Sequence, residues 1–190
     1  MFDSKADLFF EDPRHHRSPP GNYGVLHLLR RDIYRCFDWN LSEKAEQKRD
    51  PILWPGGMAI LAGIDLLAKF HEGDDAIGCV GQRFRDFVGR YFQPLCAKDE
   101  ETIYQLRNSL LHSFGLYSRT KTTEYRFVLS ASREQLVQQI SVGNYQVDLV
   151  TLFERFEGSV QRYGVDLNAD AELQTNFCRM FSKYGSIRIG

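Results

Sequence analysis

The chain has almost no surplus charge: 24 Lys and Arg stand against 25 Asp and Glu in 190 residues, a formal net charge of −1. No global basic field therefore advertises a nucleic-acid partner, although a small basic groove is compatible with that sum. Cysteine is sparse and scattered. Cys36, Cys79, Cys96 and Cys178 form no C-x-x-C pair, so neither a zinc site nor a dithiol redox centre is suggested. Free thiols of a cytoplasmic protein are the expectation. No apolar run approaches about 18 residues, so no membrane span is expected, and the start, MFDSKADLFFEDPRHH, lacks the basic-then-apolar pattern of a secretory leader. Signatures of nucleotide and metal chemistry are missing as well. There is no G-x-x-x-x-G-K-[ST], no H-E-x-x-H, no E-x-x-H pair set and no G-x-S-x-G. The loop with Gly73, Asp74 and Asp75 does not open a calcium loop. Neither a cofactor nor a metal is expected.

What is present suits one mainly α domain. The hydrophobic fraction is 43% and the aromatic fraction 13%, enough for a sizeable core. Residues 1–22, with Pro13, Pro19, Pro20 and Gly21, read as an irregular arm, although Leu8, Phe9 and Phe10 are apolar enough to dock. His15 and His16, between Arg14 and Arg17, read as a solvated turn. The single domain then runs over 23–190. From Tyr23 to Leu41 a three-four rhythm predicts a helix whose other side carries Arg30, Arg31 and Arg35. Pro51, Pro55, Gly56 and Gly57 mark a loop feeding a helix over 58–71, MAILAGIDLLAKFH. That helix is apolar nearly all round and is expected at the centre of a bundle. Gly63 permits close helix packing there. Asp65 stands alone in it, and a buried acid needs a partner such as Arg107.

A further helix is expected over 80–92. Phe84, Phe87, Val88 and Tyr91 point inward, and Arg83, Arg85 and Arg90 point outward or toward a groove. After Gly115 the pattern changes, and a β-containing insertion is expected at about 116–147. It reads as a strand around Tyr125, Phe127 and Leu129, a second over Gln139–Val147, and a short helix at SREQLVQQ between them, making a β-hairpin or β-arm. Helices over 148–163, stopped by Gly164, and 170–183 follow, and the tail YGSIRIG reads as an edge strand.

The most informative stretch is Asp99 to Gly115, DEETIYQLRNSLLHSFG. Asp99, Glu100 and Glu101 suit a helix start, Asp99 as its cap, and Gly115 suits its stop. Ile103, Leu106, Leu110 and Phe114 form one apolar stripe. Tyr104, Asn108, Leu111 and His112 form a second face, half apolar and half polar, suited to a covering helix from a second copy of the chain.

Arg107-Asn108-Ser109-Leu110-Leu111-His112 reads R-N-x-x-x-H. It resembles the R-x4-6-H signature of HEPN domains, in which a polar residue usually follows the Arg, and YQLRNSLLHSFGL is similar to that helix in many bacterial HEPN-like proteins. The resemblance covers about 15 residues. It implies an antiparallel HEPN-like helical bundle that forms a homodimer through the 99–115 helix, and a metal-independent RNA endonuclease of toxin or phage-defence type. In that reading His112 moves a proton, Arg107 holds the phosphate, and Asn108 positions His112 or the substrate by hydrogen bonds. Asp65 and Tyr104 support the site, while Arg30, Arg31, Arg35 and Arg83 contact the RNA backbone. Five residues turn a helix by about 140° beyond one full circle, which points Arg107 and His112 apart within one protomer and calls for a partner. Some toxin-type members carry a Tyr two residues after the His. Phe114 stands at that position, so no antitoxin is inferred. The alternative is a non-catalytic HEPN-like module that binds a nucleotide, an RNA or a protein.

Overall fold

The computed structural model describes residues 2–15, 20–37 and 51–190. It is mainly α, 63% helical with seven helices among the described residues and a small sheet region. The elements run α1 (Phe2–Phe9), β1 (Gly21–Gly24), α2 (Val25–Phe37), α3 (Leu53–Glu72), a 3₁₀ turn (Ile77–Cys79), α4 (Val80–Tyr91), α5 (Ala97–Ser113), β2 (Tyr117–Arg119), β3 (Glu124–Ser130), β4 (Val137–Ser141), β5 (Asn144–Asp148), α6 (Leu149–Ala169), α7 (Ala171–Tyr184) and β6 (Ser186–Ile189).

Helix α3 is the axis. It packs on α2, α4, α5, α6 and α7, and Ile60, Leu61, Ile64, Leu67 and Phe70 are wholly buried. It begins at Leu53 rather than Met58, so Gly56 and Gly57 lie inside the helix and not in a feeding loop. Pro55 is tolerated because the first helical turn has no intrahelical use for its missing N–H. Two of the glycines let neighbouring helices come close. A Cβ on Gly56 would lie 2.6 Å from the Phe37 ring, and one on Gly63 2.7 Å from the Phe156 ring. By length and composition α3 also passes the test for a membrane-crossing helix, against the sequence expectation, but half of that stretch is buried inside the fold.

Several boundaries differ from the sequence reading. The N-terminal arm is not irregular throughout. Residues 2–9 are helical, and Phe9 is wholly buried, stacked on Phe70 at 4.4 Å between ring centres. Strand β1 pairs antiparallel with β6, the tail strand. Helix α6 runs through Gly164 to Ala169. A lone interior glycine costs only about 1 kcal/mol, and Tyr163 and Leu167 carry the buried stripe across it. The expected continuation of α2 to Leu41, the polar run from Ser42 to Asp50, and His16 and Arg17 lie outside the described residues.

The β region is a four-stranded sheet, order β2-β3-β5-β4, with β3 and β5 parallel and the other pairs antiparallel. Gly143, at φ 74°, is the turn of the β4–β5 hairpin, so the single strand expected over 139–147 is two. SREQLVQQ forms no helix; it is loop and the start of β4. Tyr125, Phe127, Tyr145 and Val147 are buried, and the sheet packs against α5 and α6.

Asp148 ties the sheet to the helices. It is wholly buried. It accepts from Thr151 N (2.8 Å), Ser130 Oγ (2.7 Å), Ser132 N (2.7 Å) and Arg133 N (3.2 Å). Burial alone would raise its pKa; these donors outweigh that and hold it below the usual carboxylate range. A depressed folded-state pKa stabilises the fold above the unfolded value, about 3.9, and that share is lost as pH falls through the lower folded value. Asp148→Ala is therefore expected to cost about 2–4 kcal/mol near neutral pH, with the gap to wild type narrowing only below about pH 4. Urea melts across pH check this, and a neutral-pH loss under about 0.5 kcal/mol contradicts it.

Candidate functional site

Helix α5 delivers the motif residues. Its first turn carries Asp99 and Glu100 near the positive helix end. Its cap residue is Cys96, not Asp99. Ile103, Leu106 and Leu110 are wholly buried. Phe114, expected in the same stripe, is instead the C-cap, left-handed at φ 46° and 71% exposed. Gly115 is not the left-handed residue. The helix stops one residue earlier, with Gly115 N donating to Ser109 O at 3.1 Å.

Arg107 is only 8% exposed. Its Nε and Nη2 donate to Asp65 Oδ2 on α3 at 2.8 and 2.7 Å. Its Nη1 donates to Asn108 Oδ1 at 3.2 Å and also to Nε2 of His112. A guanidinium has no lone pair to offer. His112 Nε2 must therefore be the acceptor in that contact, which in the neutral ring places the proton on Nδ1. The helical-wheel argument that parts Arg107 and His112 thus fails within one protomer. The arginine stem is long enough to cross the intervening arc, and Asp65 holds the guanidinium at the point from which Nη1 reaches the ring. His112 itself is exposed. The result is a chain of four side chains, Asp65–Arg107–Asn108/His112, running from the axis of the bundle to its surface.

Asp65 is pulled two ways. Burial lifts its carboxyl above the usual range, and the hydrogen bonds and charge of Arg107 oppose that lift. Among the described residues, no group of three or more His, Cys, Asp or Glu is placed to hold a metal ion.

No family model, curated protein or solved structure matches the chain.

The other residues singled out from the sequence do not join this cluster by any hydrogen bond or ion pair among the described residues. Arg30 is buried and forks onto Glu157 at 2.9 and 2.6 Å. Arg83, expected on an outer or groove side, is 5% exposed and donates to Ala76 O at 2.8 Å and Asp74 Oδ2 at 3.4 Å. Both are tied into the scaffold. Arg31 and Arg35 flank Asp32 on the outer side of α2. Tyr104 belongs to the α4–α5 contact, where its ring lies under the Arg85 guanidinium at 4.5 Å. The sequence reading gave no role in the site to two exposed residues that follow the motif: Phe114, which it placed in the apolar stripe, and Tyr117 on β2, with Arg126 above its ring.

Because Arg107 is nearly sealed, its stability rests on Asp65. Asp65→Ala is expected to cost about 3 kcal/mol or more by leaving a buried cation unpaired, whereas Asp65→Leu combined with Arg107→Met recovers most of that loss. Denaturant unfolding of the three proteins checks this. A single-variant loss under about 0.5 kcal/mol contradicts the assignment.

Proposed function

We propose that the chain is a HEPN-type helical bundle and a metal-independent RNA endonuclease, with a site completed where α5 of one protomer meets α5 of a second. The observation that carries this reading is the contact of a near-buried guanidinium, anchored by Asp65, with the imidazole of a surface histidine. Phosphodiester cleavage by the neighbouring 2′-hydroxyl needs a proton acceptor, a proton donor and a fixed cation, and no metal.

The reading implies the following steps. A phosphate entering beside Arg107 competes for Nη1, because a charge-assisted bond to phosphate is stronger than one to a neutral ring. That exchange frees the Nε2 lone pair of His112. Nε2 then takes the proton of the ribose 2′-hydroxyl, and the 2′-oxygen attacks phosphorus. The bond to the 5′-oxygen breaks, giving a 2′,3′-cyclic phosphate and a 5′-hydroxyl. The leaving oxygen takes its proton from the second protomer's imidazolium, which is the chemical reason for a dimer. Asn108 holds the guanidinium from the side. Arg31 and Arg35, which pair only with Asp32 on their own helix, are the arginines of α2 that this reading assigns to the RNA backbone. A toxin or phage-defence role and a cytoplasmic setting belong to this same reading.

One observation favours a second reading, a non-catalytic module of the same fold. Nη1 of Arg107 already bonds Asn108 and His112, so the resting site is satisfied without substrate.

Purified protein incubated with total RNA separates the two. The nuclease reading predicts cleavage that persists in chelator, leaves cyclic phosphate ends and slows at least about 100-fold in His112→Ala. Cleavage that requires added metal, or that survives the alanine change, rejects it; intact RNA under all conditions leaves the binding module. Sedimentation at micromolar concentration is expected to show a dimer, and a monomer there removes the composite site.

A further inference from the structure

The four-stranded sheet ends on β4, and among the described residues nothing pairs with that strand's outer side. An edge strand offers a row of unpaired N–H and C=O groups, which proteins blunt with charge, proline, bulges or a very short strand. The opposite edge is blunted: β2 is three residues long and carries Arg119. On the β4 side no residue between Glu134 and Asp148 is charged or is proline, in a chain of which 26% is charged. Gln138, Gln139, Ile140 and Ser141 are exposed, Ile140 at 55%, and Val142 beside them at 92%.

The register fixes which backbone groups face outward. Asp148 N donates to Leu136 O at 3.0 Å, Val137 lies opposite Val147, and Gln138 lies opposite Gln146. Antiparallel pairs alternate between bonded and non-bonded. Residues 136 and 138 therefore bond toward β5, and Val137 and Gln139 turn their N–H and C=O groups to the open edge. The bulge of β4 falls after Gln139 and leaves this window straight. Val137 is buried, so Gln138 stands on the outer face of the sheet. Lys98, whose Nζ donates to Gln139 Oε1 at 2.5 Å, sits on the other face.

We propose that this edge pairs with the same edge of a second copy of the chain, antiparallel about a two-fold axis through Gln138. Val137 then exchanges backbone hydrogen bonds with the partner's Gln139, and Gln139 with the partner's Val137. The charges favour a second copy as the occupant. With no charged residue from 135 to 147, no like charges meet across the axis. Each Gln138 amide holds a donor and an acceptor, so the two copies satisfy one another. A net charge of −1 leaves little repulsion between whole molecules. Ile140 comes to lie opposite the partner's Leu136, out of water. This contact is separate from the α5 contact of the proposed nuclease and does not rest on it.

The test is hydrogen exchange of the full chain, read by mass spectrometry at the peptide spanning 134–142, with sedimentation velocity on the same samples. A contact of this small area is weak, so protection of that peptide and growth in mass are expected as protein rises from about 5 to about 500 µM. Gln138→Lys and Gln138→Glu each set like charges face to face at an exposed position and should abolish both signals. An equimolar mixture of the two variants should restore them, which chains damaged in folding could not do. Val128→Lys, on the same face but in the interior strand β3, should behave as wild type. Exchange at 134–142 that is the same in wild type and in both Gln138 variants at every concentration overturns the edge contact, and so does loss of association in Val128→Lys. A mixture that stays apart overturns the two-fold register. If the micromolar dimer itself is lost in the Gln138 variants, the dimer runs through β4, and the composite site at α5 falls while this inference stands. If that dimer persists and only the higher association is lost, both stand.

Discussion

A cation with less than a tenth of its surface in water has to be paired, and the Asp65–Arg107 ion pair is the constraint on which the site depends. Asp65 sits on α3, the helix that α1, α2, α4, α5, α6 and α7 all touch. Pairing it with Arg107 fixes how α5 lies against that axis, and so fixes where the last turn of α5 emerges. His112, Phe114 and the start of the sheet are placed by that one crossing. Replacing the pair with apolar groups would leave packing of similar quality. The ion pair is thus poorly explained as a stability device, and well explained as a way to hold a guanidinium beside an imidazole.

The sheet completes this arrangement from the other side. Strand β2 leaves α5 after only three intervening residues, and Ser118 bonds back to Gln105. Asp148 then locks the end of β5 to the start of α6 and gathers the backbone of the β3–β4 connection. The exit of α5 is therefore braced on both faces, by α3 beneath and by the sheet beside it, while the tip with His112 and Phe114 stays in solvent.

How much of this was legible in the residues depended on whether the signal was periodic or a matter of reach. The apolar run of α3, the stripe of Ile103, Leu106 and Leu110, and the inward side of α4 follow from spacing alone, and the structure has them. The need of Asp65 for a cation followed from its isolation among apolar neighbours. The meeting of Arg107 and His112 was not legible, because wheel angles describe Cβ directions and a guanidinium travels several ångströms beyond its Cβ. Arg83 escaped for a related reason: its stem runs inward and its head satisfies the Ala76 carbonyl. The cap at Phe114 was read as Gly115, since glycine is the usual left-handed residue and strain leaves no mark in sequence. The parallel pairing of β3 with β5 was hidden because β4 intervenes in the chain but not in the sheet.

The central claim is that Arg107, held by Asp65, donates to Nε2 of His112. Long-range proton–nitrogen correlation of the His112 ring in nitrogen-15-labelled protein, at a pH where the ring is neutral, tests it without any assumption about substrate. The account predicts the proton on Nδ1 and a bare Nε2. A ring carrying its proton on Nε2 would contradict it, since that nitrogen could not then accept from the guanidinium.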